Sequence, residues 1–114
     1  LIRLKRVYEA PSEDDGLRIL VDRLRPRGIT KGKAGIDLCV RDLAPSMVAR
    51  SAFCHDPEKW DEFKARHAGE LEEKGDAVTE LERSIACQVV TFVFAAKETE
   101  LNNAVALKGY LESR

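Results

Sequence analysis

Val89-Val90-Thr91-Phe92-Val93-Phe94-Ala95 is an almost unbroken run of β-branched and aromatic residues near the C-terminal end of the chain. A strand with one wet face alternates apolar and polar residues, so a continuous apolar run predicts a strand covered on both faces, at the centre of a sheet. Working back along the chain, Leu17 to Arg23 reads as another apolar strand, and Ile2 to Tyr8 alternates apolar and basic residues as a strand with one solvated face. Ile36 to Leu43 is a further strand candidate.

Helices separate these strands from the central one. Pro45-Ser46 starts a short helix to Phe53 with Ser46 as N-cap, and Asp56-Pro57-Glu58 combines a capping carboxylate with proline in the first turn. Trp60, Phe63, His67 and Leu71 then form one helical stripe, closed at Lys74-Gly75. Asp76 is expected to cap the next helix, with Val78, Leu81 and Ile85 inward, and Thr99 the last one, carrying Leu101, Ala104, Val105 and Leu111. Ala10 to Gly16 reads as a loop, and Gly28 to Gly35 as an exposed turn or flap. The pattern predicts a single domain over residues 1–114, a small three-layer α/β fold whose mostly parallel central sheet is covered by helices.

Composition excludes the more extreme classes. The 114 residues are 44% hydrophobic and 34% charged with a formal net charge of −1, which gives no global attraction to nucleic acid or to a membrane surface. Charge is nonetheless unevenly placed. Arg23 to Gly35 carries bases and no acid, whereas Asp56 to Glu82 holds ten acids against four bases. No apolar run is long enough to span a bilayer and no charged-then-apolar pattern stands before the first strand, so neither a membrane span nor an intact signal peptide is expected. Cys39, Cys54 and Cys87 lack paired spacing, which supports neither a disulfide framework nor a metal knuckle and places the protein in a reducing cytoplasm. Whether a cofactor is bound is not legible in the residues.

In open α/β sheets ligands bind beyond the carboxyl ends of the strands. Two such ends are polar here. The first is Asp22 to Gly28, where Arg23, Arg25 and Arg27 at every second position of an extended segment would share one side, and Pro26 favours extended geometry before it. Guanidiniums offer paired planar donors suited to phosphate and carboxylate. The bland reading, that Asp22 pairs with one arginine and water takes the others, remains open beside it. The second is the turn carrying Lys97, Glu98 and Glu100 into the helix start at Asn102 and Asn103. Free N–H groups at a helix N-terminus favour anions there. Cys54-His55 has the residue types of a nucleophile and base, but sequence neighbours seldom face each other.

With these segments placed, the chain resembles the YeaO-like branch of the domain-of-unknown-function 488 family. The matching words are Lys5-Arg6-Val7-Tyr8, Gly16 with Arg18-Ile19-Leu20-Val21-Asp22-Arg23-Leu24, and Pro26-Arg27-Gly28. Leu43-Ala44-Pro45-Ser46, Phe53, His55-Asp56-Pro57-Glu58, Trp60, Phe63, Ala95-Ala96-Lys97 and Asn102 follow in the expected order. The chain departs from its relatives at Arg25, where they usually carry tryptophan, at Cys54, where they carry glycine, and at Leu101 and Asn103, where histidines are common. More distant members place cysteine at the position of Phe94. The resemblance therefore implies that thiol and imidazole chemistry at the last helix start is absent here, leaving arginines, a lysine and amides as donors.

The leading functional expectation is a site for a phosphate- or carboxylate-bearing small molecule, with Arg23, Arg25, Arg27, Lys97, Asn102 and Asn103 as anion donors. Asp22 and His55 are the candidate catalytic groups should the site carry a reaction, and no metal site is expected. Asp22, Arg23, Arg27, His55, Lys97 and Asn102 are expected around one cavity, with Asp22 partly buried against an arginine. Two other readings compete. One is a nucleic-acid-associated or regulatory protein using the basic Arg23 to Lys33 segment, disfavoured by the net charge and the lack of a basic helix or interleaved aromatics. The other is a non-catalytic descendant of an enzyme. Oligomeric state is not legible in the residues.

Overall fold

The apolar run from Val89 forms an interior strand, β4 (Val90–Phe94), in which every residue is buried. It pairs in parallel with β1 (Ile2–Arg6) on one side and β2 (Leu17–Leu20) on the other. A two-residue strand, β3 (Leu38–Cys39), completes the sheet beside β2, also in parallel, giving the order β1-β4-β2-β3. The computed structural model describes residues 1–24, 27–54 and 56–114, and of Lys31 the backbone alone.

Because side chains alternate along a strand, each sheet face draws on every second residue. One face presents Ile2, Ile19, Val21, Val90, Phe92 and Phe94. It is covered by three helices, α3 (Trp60–Glu72), α4 (Gly75–Ile85) and α5 (Asn103–Glu112), which contribute Leu71, Val78, Leu81, Ala104, Leu107 and Leu111. The opposite face presents Val7, Leu20 and Val93, which pack on Ala34 of the short helix α1 (Lys31–Ala34) and on Ile29 and Ile36. The result is a three-layer α/β domain with one thick and one thin helical layer.

Charge fills what the thin layer leaves. Asp15 ends a single helical turn (Glu13–Asp15) capped by Ser12, and its carboxylate meets Arg18 Nη1 at 2.6 Å and Lys5 Nζ at 3.2 Å. Arg18 Nε donates to the Ala34 carbonyl and Thr91 Oγ1 to the Asp15 carbonyl, so each of these three buried residues has partners. Burial alone would raise the Asp15 pKa, yet bonds from the Ser12 N–H, Arg18 and Lys5 hold it below 3.8. Gly16 follows with φ 62°, and a Cβ there would lie 2.1 Å from the Val89 carbonyl oxygen, so only glycine lets β2 start this close to β4.

Several elements differ from expectation. β2 stops at Leu20 rather than Arg23, and β3 covers Leu38–Cys39 rather than Ile36 to Leu43, because Arg41–Leu43 winds into a helical turn that buries Leu43 against the core. The segment Gly28 to Gly35 contains α1, whose Ala34 is fully buried, so it is not wholly an exposed turn. Asn102, not Thr99, caps α5, since the Asn102 side chain accepts the Val105 N–H. Asp76 lies inside the first turn of α4 and caps nothing there, because the helix begins one residue earlier. Trp60 is half-buried, stacked near Phe53 and Phe63, whereas Phe63, His67 and Leu71 on its stripe are buried.

Candidate functional site

Parallel pairing puts the carboxyl ends of β2 and β4 side by side, and α5 begins immediately behind them. The junction is held by side chains. Asp22, just past β2, accepts the Ala95 N–H through Oδ2 at 2.8 Å and the Asn103 amide through Oδ1 at 3.1 Å. Asn103 Nδ2 also reaches the Val21 carbonyl at 3.2 Å. Asn102, 1% exposed, caps α5 through its oxygen and donates its amide to the Glu98 carbonyl. Arg6 grips the other strand end, donating to the carbonyls of Ala95 and Ala96 at 3.0 Å each.

The helix α2 (Met47–Phe53) crosses in front of this junction. Ser46 fixes its start twice over: its hydroxyl accepts the Ala49 N–H, and its own N–H and hydroxyl donate to the two carboxylate oxygens of Glu70 on α3. Burial works to raise the Glu70 pKa, but these donors from Ser46 hold it below 4.5. The preceding loop is pinned by His67, whose Nε2 lies 2.8 Å from the Leu43 carbonyl. Because a carbonyl only accepts, Nε2 carries the hydrogen, which leaves Nδ1 buried without a partner among the described residues. Phe53 closes the other end of α2, stacked on Phe63 of α3 with ring centroids 4.5 Å apart.

Between α2 and the strand ends lies a cavity of about 590 Å³. Its polar lining comes from Asp22, Asn102 and Asn103 on one side and from Arg50 and Ser51 of α2 on the other, and its apolar lining is led by Phe53 and Phe63. The Arg50 side chain is exposed and has no hydrogen-bond or ion-pair partner among the described residues. At the α5 start the Val105 N–H is taken by Asn102, while the helix geometry leaves the N–H groups before it without intrahelical partners. A guanidinium and a hydroxyl on one side thus face a carboxylate and a helix start on the other, across a half-apolar space.

Of the residues expected around one cavity, the structure brings together Asp22 and Asn102, and Asn103, expected as an anion donor, lines the cavity beside them. Arg23, Arg27 and Lys97 are exposed and do not line it. Arg25 and His55 lie outside the described residues, as does part of the expected arginine row. The described part of that row is not strand, since the β2 ladder ends before it. Asp22 is half-buried as expected, but among the described residues its oxygens take an amide and a backbone N–H instead of an arginine. Cys54 is exposed, with its thiol 2.7 Å from the Ser51 carbonyl.

Arg50, Ser51 and the two phenylalanines were absent from the expected site. Arg50, Ser51 and Phe53 read in the sequence only as part of the helix after Ser46, and Phe63 as part of the stripe on the next one; nothing local says that the helix after Ser46 crosses the strand ends. Among the described residues no group of acidic, histidine and cysteine side chains is arranged to hold a metal, and no helix is long and apolar enough to cross a membrane.

Comparison with known proteins places this geometry in a family. The model of a family described as the inactive DUF488-N3 subclade matches residues 1–114. An uncharacterised protein of Mycobacterium tuberculosis strain H37Rv is 38% identical over 113 residues, spanning 99% of this chain and 95% of its own length. The uncharacterised protein YeaO of Escherichia coli K12 is 35% identical over 115 residues, spanning 98% and 97%. No solved structure matches the chain.

Proposed function

The chain belongs to the YeaO-like branch of the domain-of-unknown-function 488 family, within its DUF488-N3 subclade, and on that premise we propose that it binds a phosphate- or carboxylate-bearing small molecule at its strand ends without transforming it. Arg50 carries the reading: its guanidinium, without a partner among the described residues, lines a cavity of about 590 Å³ across from the start of α5. Such a group is suited to oxyanions because it offers planar paired donors. The absence of turnover from the reading is supported by the family description, which calls the subclade inactive. It is also supported by Asp22, whose two oxygens hold the β4 end and α5 in place.

A nucleic-acid partner is disfavoured by the net charge of −1 and by the acid-rich Asp56 to Glu82 segment. A reducing compartment suits the free Cys39, Cys54 and Cys87.

Titration of the full chain with inorganic phosphate and with benzoate, followed by amide chemical shifts, tests the proposal. Shifts at Ala95, Asn103, Ala104 and Ser51 are expected, and Arg50→Gln is expected to weaken binding by about tenfold, the worth of a charge-assisted hydrogen bond. Shifts scattered over the surface, or affinity unchanged in Arg50→Gln, overturn it.

A further inference from the structure

A cavity of about 590 Å³ is far larger than a bare oxyanion, so most of its space belongs to another part of the ligand. The walls describe that part. Phe53 and Phe63 present stacked rings, and Met47, 70% exposed, adds a polarisable thioether at the rim. An apolar body, flat enough to lie against rings, fits this side.

The charges constrain the remainder. Among the described lining residues, Arg50 is the cation and Asp22 the anion, with no second cation to offset a polyanion. Each further negative charge on a ligand would therefore face the Asp22 carboxylate at a cost. Among the described residues Asp22 itself is incompletely used: each oxygen accepts one protein N–H, whereas a carboxylate oxygen has two lone pairs. A ligand that brings a cationic donor to Asp22 turns that repulsion into attraction.

We propose that the occupant is an amino-acid-type zwitterion with an apolar, preferably aromatic side chain, an inference that rests on the binding function proposed above. Its carboxylate is held by Arg50 and the Ser51 hydroxyl, its ammonium by Asp22, and its side chain by Phe53 and Phe63. Nucleoside diphosphates and other polyanions are excluded by the same charge arrangement.

Calorimetric titration of the full chain with L-phenylalanine, 3-phenylpropionate and 2-phenylethylamine separates the contributions, since the three share a phenyl body and differ in charged groups. Phenylalanine is expected to bind at least about tenfold more tightly than either singly charged analogue, each lost charge removing a charge-assisted hydrogen bond. Arg50→Gln, at an exposed position outside the core, is expected to weaken phenylalanine and phenylpropionate and to leave phenylethylamine unchanged. If phenylpropionate binds as tightly as phenylalanine, the zwitterion inference is overturned while anion binding stands. Arg50-dependent binding of inorganic phosphate, with no binding of phenylalanine, has the same consequence. Absence of binding by phosphate and by both carboxylates overturns the two together.

Discussion

The Asp22 carboxylate accepts the Ala95 N–H at 2.8 Å, in the place where a continued β2–β4 ladder would put the Val21 carbonyl. The ladder is regular up to that point, with the Val21 N–H donating to Val93. The displaced Val21 carbonyl accepts the Asn103 amide instead. One side chain thus ends the sheet, turns the chain toward the cavity and ties it to α5.

Asp22→Ala removes an acceptor from two N–H donors at once. Leaving partly buried donors unsatisfied costs about 1 to 3 kcal/mol, so the urea unfolding midpoint is expected to fall accordingly. Asp22→Asn keeps one acceptor oxygen and is expected to lose less. An alanine variant as stable as the parent would show that the junction does not depend on this carboxylate.

His67 makes stability depend on pH in a window where few other groups titrate. Burial lowers its pKa below 6.5, outweighing the opposing effects of the Leu43 carbonyl and Glu70. The folded chain therefore keeps the ring neutral while the unfolded chain takes up a proton below about pH 6.5, so stability falls as pH falls through that value and levels off below the native pKa. Asp15 and Glu70, whose pKa values are lowered, keep their contributions until the pH drops below 3.8 and 4.5 respectively. Urea midpoints at about pH 7.5 and about pH 5.5 are expected to differ in the parent and to converge in His67→Gln, which keeps a donor for Leu43 and does not titrate.

The Asp15–Arg18 pair is buried, with side chains 7% and 3% exposed. Removing one member of such a pair strands the other charge, so Asp15→Ala is expected to cost about 3 to 5 kcal/mol. Arg18→Met in the same background relieves the stranded charge and is expected to recover part of the loss. A double variant less stable than Asp15→Ala alone would mean that the contacts of Arg18 with Ala34 matter more than its charge.

The sheet centre, the Ser46 cap and the Phe63–His67–Leu71 stripe were legible because each depends on local periodicity or a capping residue. The strand expected to run on to Arg23 was drawn too long for a physical reason. Alternation shows which residues share a side only while the strand continues, and here the ladder is ended by the side chain of Asp22, an interaction with Ala95 across 73 positions. Arg50 was invisible for a related reason. Its place in the site comes from Ser46–Glu70 and Phe53–Phe63 contacts that seat α2 on α3, and neither pair is adjacent in sequence. Asn102 and Asn103 were found as donors, but the first is committed to capping α5 and the second to the strand ends.

Cys54 gives the last test, because its backbone explains a departure seen in the sequence. It follows α2 with φ 45° and ψ 36°, the left-handed conformation in which helices commonly end on glycine, and glycine is what the family resemblance implies relatives usually carry there. A side chain in that conformation costs about 1 to 2 kcal/mol, and glycine gives back roughly 0.5 to 1 of the relief through its freer unfolded chain. Cys54→Gly is therefore expected to raise stability slightly, by about 0.5 to 1 kcal/mol, and to leave ligand binding intact. Cys54→Val, β-branched and poorly tolerated at positive φ, is expected to lower stability. Equal urea midpoints for the glycine and valine variants would remove the backbone explanation, and loss of ligand binding in a folded Cys54→Gly variant would return the thiol to the site.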